Sequence, residues 1–190
     1  MIRALIFDCF GVLIGEGFDS TYQQAGGDPS RDRGFINDTL KKANLGQIKD
    51  NQFHKAMADK LKVTMARWQQ IIRDAEQVNV ELLAYIGTIH AHYKTAILSN
   101  ANYGVLDQKI GKECLEQLFD EVIVSADVGM IKPDIRMYQL TIDRLGVSAN
   151  QCIYIDDRES FVQVADSIGM LGLVYHNTQQ IKSAIAARLV

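Results

Sequence analysis

Arg3-Ala4-Leu5-Ile6-Phe7-Asp8-Cys9-Phe10-Gly11 decides how the rest of the chain is read. Ala4 to Phe7 form an uninterrupted apolar run that stops at an acid, with a glycine soon after. A run too short for a helix and ended in this way is the pattern of a strand buried on both faces, its carboxyl end opening into a loop. The pattern recurs. Lys94-Thr95-Ala96-Ile97-Leu98 leads into Ser99-Asn100, Glu121-Val122-Ile123-Val124 into Ser125, and Cys152-Ile153-Tyr154-Ile155 into Asp156-Asp157. Leu171-Gly172-Leu173-Val174 is a fifth candidate. Between them lie helical stripes: Ile135, Tyr138, Ile142 and Leu145, then Phe161, Val164 and Ile168, then Ile181, Ala184 and Leu189 less regularly. Apolar strands alternating with amphipathic helices predict an α/β fold with a mostly parallel sheet.

One interval breaks the alternation. From Ile14 to Tyr93 there is no strand signal. Ile48, Phe53, Ala56, Met57 and Leu61 make one helical stripe, and Val63, Trp68, Ile71 and Ile72 suggest the next. Gly26-Gly27-Asp28-Pro29-Ser30 reads as a turn before a further helix, and Val80 to Ala91 as a helix returning to the sheet. A helical insert directly after the first strand would lie over the strands' carboxyl ends.

Composition narrows the function classes. The 190 residues carry 20 Lys+Arg against 23 Asp+Glu, a formal charge of −3, so there is no basic footprint for nucleic acid or an anionic membrane. No stretch approaches a membrane span, and the first apolar run lacks a cleavage site, so a cytoplasmic protein is expected. Cys9, Cys114 and Cys152 show no CxxC spacing and leave one odd, which fits a reducing compartment. Only Pro29 and Pro133 are prolines, as expected of a helix-rich chain.

Ligands of open parallel sheets bind outside the strands' carboxyl ends. There the first strand delivers Asp8, the second Ser99 and Asn100, the loop after the third Lys132, and the fourth Asp156 and Asp157. Each alone is also what a turn or a helix cap uses. Together, a carboxylate, a small hydroxyl, an ammonium and an acid pair suit phosphoryl chemistry: acids hold a divalent cation, hydroxyl and ammonium bind oxygens, and Asp8 can attack phosphorus. His54, His90, His92 and His176 show no metal spacing and read as packing or surface residues, Cys9 as a packed thiol, and Trp68 as part of the insert's core.

Four segments resemble the motifs of the haloacid dehalogenase-like hydrolase superfamily: Leu5 to Leu13 with Asp8 as nucleophile, Ile97 to Asn100, Lys132-Pro133, and Tyr154 to Asp157. Gly129 to Tyr138 and Ala165 to Gly169 are also typical of the group, and Gly46-Gln47-Ile48 with Phe53 resembles cap segments of its small sugar-phosphate phosphatases, of the glucose-1-phosphate type. The resemblance implies a Rossmann-like three-layer core from residues 1–15 and 93–190, with a helical cap and return helix over 16–92. It implies Mg²⁺ held by Asp8, the Phe10 backbone carbonyl and Asp157, with Asp156 behind them. Ser99, Asn100 and Lys132 would bind phosphate, and a small-molecule phosphate ester would be the partner. Glu16 and Phe18, where core meets cap, are candidate substrate contacts. The family's phosphatases usually carry a second Asp two residues after the nucleophile, as general acid and base; here Phe10 stands there. Three expectations follow. The chain is a phosphatase without that acid, a carbon–halogen hydrolase (those enzymes have an aromatic residue at this place), or a binding protein on the same scaffold.

Overall fold

The computed structural model describes residues 1–15 and 17–189. Strands β1 (Ala4–Phe7), β2 (Lys94–Ser99), β3 (Glu121–Val124), β4 (Cys152–Asp156) and β5 (Leu171–Val174) stand on the five apolar runs, each within a residue of its expected ends. Every pairing is parallel, and the order across the sheet is β3-β2-β1-β4-β5. The order reverses between β1 and β4, which opens a crevice at their carboxyl ends. Phe7 lies opposite Ile155, and the Asp8 N–H still donates to the Ile155 carbonyl at 2.8 Å. Asp8 and Asp156 therefore leave the sheet as neighbours.

The insert consists of α1 (Phe18–Gln24), α2 (Arg33–Asn44), α3 (Asp50–Leu61) and α4 (Met65–Ala75). Tyr22, Ile36, Phe53, Met57, Trp68 and Ile71 bury one another in a core separate from the two that flank the sheet. The Thr64 hydroxyl starts α4 by accepting the Arg67 N–H at 3.2 Å. Asp32, at the head of α2, is buried and meets the Tyr22 hydroxyl at 3.0 Å and Lys60 at 3.1 Å. The two connections to the sheet run side by side as a short antiparallel ribbon. Ile14 bridges Val78, Gly15 N–H donates to Gln77 O at 2.7 Å, and Asn79 N–H donates to Leu13 O at 2.8 Å. A Cβ on Gly15 would lie 2.8 Å from the Ala75 carbonyl, so the strands of this ribbon pass too closely for any larger residue.

Beyond the ribbon come α5 (Val80–His90), α6 (Val105–Lys109), α7 (Lys112–Leu118), α8 (Ser125–Val128), α9 (Ile135–Leu145), α10 (Glu159–Ser167) and α11 (Thr178–Ala186). Side chains alternate across the sheet. Leu5, Phe7, Ile97, Ile153 and Ile155 pack with α5, α7 and α11; Ala4, Ile6, Leu98 and Tyr154 pack with α9 and α10. This is a Rossmann-like three-layer α/β fold. Two helical faces differ from their expected stripes. Ile135 is 41% exposed, because Asp134 caps α9 through the Arg136 N–H and leaves Ile135 in the first turn at the surface; the buried face runs through Met137, Tyr138, Thr141, Ile142 and Leu145. On α10, Phe161, Val162 and Ala165 are the buried residues, while Val164 lies half-buried beside them. Among the described residues, no helix is long and apolar enough to cross a membrane.

Candidate active site

Asp8 is the first residue beyond β1 and is almost wholly buried. Its Oδ1 accepts the Cys9 N–H at 2.6 Å and the Lys132 ammonium at 2.8 Å; among the described residues, no bond falls on Oδ2. Burial pushes the Asp8 carboxyl up to about 7, with Lys132 opposing the rise and Asp156 adding to it. Cys9 turns inward, as expected of a packed thiol. Burial and then the Asp8 charge hold it well above the ordinary thiol range, so it is inert.

Lys132 Nζ sits between two carboxylates, 2.8 Å from Asp8 Oδ1 and 2.8 Å from Asp156 Oδ2, and it donates to the Tyr154 hydroxyl at 3.2 Å. Burial works against its charge, but the two carboxylates outweigh burial and raise its pKa, so it stays an ammonium. Its backbone is fixed from β2. Asn100 Nδ2 donates to Lys132 O at 3.0 Å, and Asn100 Oδ1 accepts the Lys132 N–H at 2.7 Å. The Asn100 side chain thus holds the backbone of the lysine in place. It is not a helix cap: α6 begins only after Gly104.

Asp156 is fully buried and accepts from Lys132, from the Tyr154 hydroxyl and from the Arg158 N–H at 2.9 Å. Asp157 lies at the exposed mouth. Oxygens from Asp8, Asp156 and Asp157 come within 4.8 Å of one another. Three carboxylates against one lysine form a hard oxygen set of net negative charge, which fits a divalent cation such as Mg²⁺. Gly11 makes room for that set. Its φ is +90°, and a Cβ there would stand 2.6 Å from Asp157 Cγ. Ser99 ends β2 with its hydroxyl fully buried and without a partner among the described residues. An unpaired buried hydroxyl is costly, about 1–3 kcal/mol, which fits a group kept for a ligand oxygen.

A cavity of about 270 Å³ opens from these groups toward the insert. Asp8, Phe10, Asn100, Lys132 and Asp157 are among its lining residues. Phe10 presents a ring there and no ionisable group. Phe18 also lines the cavity, its ring tilted or edge-on to those of Tyr22, Phe53 and Trp68 at 5.9–6.1 Å. Glu16 lies outside the described residues. The sequence reading missed Asp50, His54, Glu76 and Lys109, which also line the cavity. Glu76, at the end of α4, pairs with Lys109 of α6 at 2.6 Å, across the gap between insert and sheet. His54 accepts the Trp68 Nε1–H and lies 3.2 Å from Asp50, instead of merely packing or facing solvent. The i,i+4 spacing of Asp50 and His54 on one helix was the available signal.

A family model described as haloacid dehalogenase-like hydrolase matches residues 2–169. The chain is 24% identical over 210 residues to bifunctional epoxide hydrolase 2 of Sus scrofa, an alignment covering 93% of this chain and 37% of that protein. It spans well under half the length of the curated relatives it matches. In fold it is similar to a predicted HAD-like hydrolase from Porphyromonas gingivalis, with a TM-score of 0.79, 23% identity, and coverage of 100% of this chain and 98% of that one. A HAD family enzyme of Bacteroides thetaiotaomicron, in complex with magnesium and inorganic phosphate, matches with a TM-score of 0.70 and 19% identity over 93% of this chain and 95% of that one.

Proposed function

The chain belongs to the haloacid dehalogenase-like hydrolases, and we propose that within them it is a Mg²⁺-dependent phosphatase of a small phosphorylated metabolite. The observation that carries this reading is the group Asp8, Asp156 and Asp157 around Lys132. Displacing halide from carbon needs the Asp8 carboxylate but no acid trio. A phosphate dianion would be repelled by that trio unless a cation stood between them. Asp8, the Phe10 carbonyl and Asp157 would hold the cation with Asp156 behind them, and its charge would offset that of the phosphoryl oxygens.

Asp8 Oδ2, the oxygen without a hydrogen bond among the described residues, attacks phosphorus in line while the bond from phosphorus to the leaving oxygen breaks. Lys132 holds Oδ1 and balances charge on the nucleophile. Ser99 and the Asn100 backbone region are the proposed phosphate contacts, and Asn100 keeps Lys132 aimed. Water then attacks phosphorus, the bond from phosphorus to Asp8 Oδ2 breaks, and inorganic phosphate leaves with the Asp8 carboxylate regenerated. No side chain at position 10 can protonate the departing oxygen, so acyl or anomeric phosphates, whose leaving groups need little help, are the suited esters. The proposed partner is thus a small phosphate ester.

The Phe10 ring beside Asp8 favours a second reading, a carbon–halogen hydrolase. One preparation distinguishes the two. Phosphate release from acyl and sugar phosphates should require Mg²⁺ and fall about 10³-fold or more in Asp8→Asn. Metal-independent halide release from 2-haloacids, with no phosphate release, would establish the second reading instead.

A further inference from the structure

We propose that Asp50, anchored in the cavity wall by His54 and Trp68, selects phosphate esters with an uncharged, hydroxyl-rich leaving group over esters that carry a second anion. The proposal rests on the phosphatase reading of the same cavity and adds the chemistry of its far end.

The relay has only one polarity. Tryptophan Nε1–H can donate but not accept, so His54 Nδ1, 3.0 Å away, must carry a lone pair. The proton of the neutral ring then sits on Nε2, which faces Asp50 Oδ2 at 3.2 Å. With both nitrogens engaged, His54 has no proton to give the leaving group; it holds Asp50 in place. The histidine hydrogen bond keeps the Asp50 carboxyl below its ordinary range, and Asp50 opens α3, where the helix dipole also favours a negative charge. Asp50 is therefore a fixed, ionised acceptor in the cavity lining, and among the described residues no hydrogen bond falls on its Oδ1.

Charge at this end points to the ligand. Glu76 and Lys109 pair with each other, Lys109 also helps to draw the Asp50 carboxyl down, and Arg158 lines the cavity next to Asp157. Among the described residues, Asp50 is the lining acid of the insert that has no lysine or arginine as its ion-pair partner. A second carboxylate or phosphate on the ester would meet it directly and be repelled. Hydroxyl groups would donate to it. Asn44 and Gln108 line the same cavity with amide side chains that both donate and accept, which matches hydroxyls better than an ammonium, a donor only. Phe18, Leu40, Phe53 and Ile72 supply apolar surface suited to the C–H face of a polyol or sugar ring.

Trp68 is the chain's single tryptophan and a member of the relay, so its emission reports ligand binding even without turnover. Asp8→Asn protein with Mg²⁺ would be titrated with a sugar phosphate, an aryl phosphate and a carboxylate-bearing phosphate ester. The sugar phosphate is expected to bind at least tenfold tighter than the carboxylate-bearing ester. Adding Asp50→Asn should shrink that ratio to about twofold, and Asp50→Lys should reverse it. His54→Phe should shrink the ratio as Asp50→Asn does, and the pair together no further, because they act as one unit. Urea midpoints of the variants separate this from unfolding. Equal affinities in the starting protein, a ratio untouched by Asp50→Asn, or additive losses in the pair would overturn the proposal. If the unsubstituted chain releases phosphate from none of these esters, the phosphatase reading falls, while the emission ratios still decide the role of Asp50.

Discussion

Phe10 lines the cavity two residues after Asp8, and in the proposed phosphatase its ring has no proton to give a departing alkoxide. Phe10→Asp is therefore expected to raise kcat on simple alkyl phosphates, by up to about 10²–10⁴-fold, and to change acyl phosphates little. Steady-state rates on both ester classes check it, and no gain on either would mean that proton transfer is not limiting. Gly11→Ala pushes a methyl group against Asp157 at a φ of +90°. It should raise the Mg²⁺ concentration for half-saturation at least about tenfold and cost roughly 1–3 kcal/mol, readable by calorimetric titration and urea unfolding. Asn100→Ala would strip the partners from the Lys132 N–H and C=O. A loss of about 1–3 kcal/mol is expected for each group left unpaired, with a slower kcat and a smaller change in KM. Asp8, Lys132, Asp156 and Asp157 were legible because strand ends converge whatever the packing above them. The Asn100 contact was not, since it depends on how a loop thirty-two residues away folds back onto β2.

At the scale of elements, the cap is held by an acid that water hardly reaches. Asp32 is drawn down to about 2, by its hydrogen bonds to Arg31 first, then Lys60, with Tyr22 adding a third. The unfolded value is 3.8, so its contribution is complete above that pH and is lost as pH falls through about 2. Melting curves between pH 2 and 4 should show the native chain losing stability more steeply than Asp32→Asn. Trp68→Ala empties the middle of the cap and should cost about 3–5 kcal/mol. The helices themselves were legible from their apolar spacing, because burial against one partner face imposes that period. Ile135 misled because spacing records which side of a helix a residue is on, and not where the helix starts. The Asp50–His54–Trp68 line was hidden because it joins two helices whose crossing no local pattern specifies.

For the molecule as a whole, three polar contacts among the described residues tie the insert to the sheet side around the cavity. Ser125 Oγ lies 2.6 Å from Asn44 O, Asn102 Nδ2 donates to Ile48 O at 2.8 Å, and Lys109 meets Glu76 at 2.6 Å. Breaking the last tie with Lys109→Met should speed amide exchange in α4 several-fold, about 1 kcal/mol of local stability, while β1 and β4 amides keep their rates. The ribbon between Leu13–Gly15 and Gln77–Asn79 carries a wider consequence. The chain departs and re-enters at adjacent backbone positions already bonded to each other, so neither strand end depends on the length of the excursion between them. A lid of another size or lining can be spliced in at this doorway and leave Asp8 where it is. Lineages that inherit such a junction are free to exchange what they recognise without rebuilding the chemistry underneath.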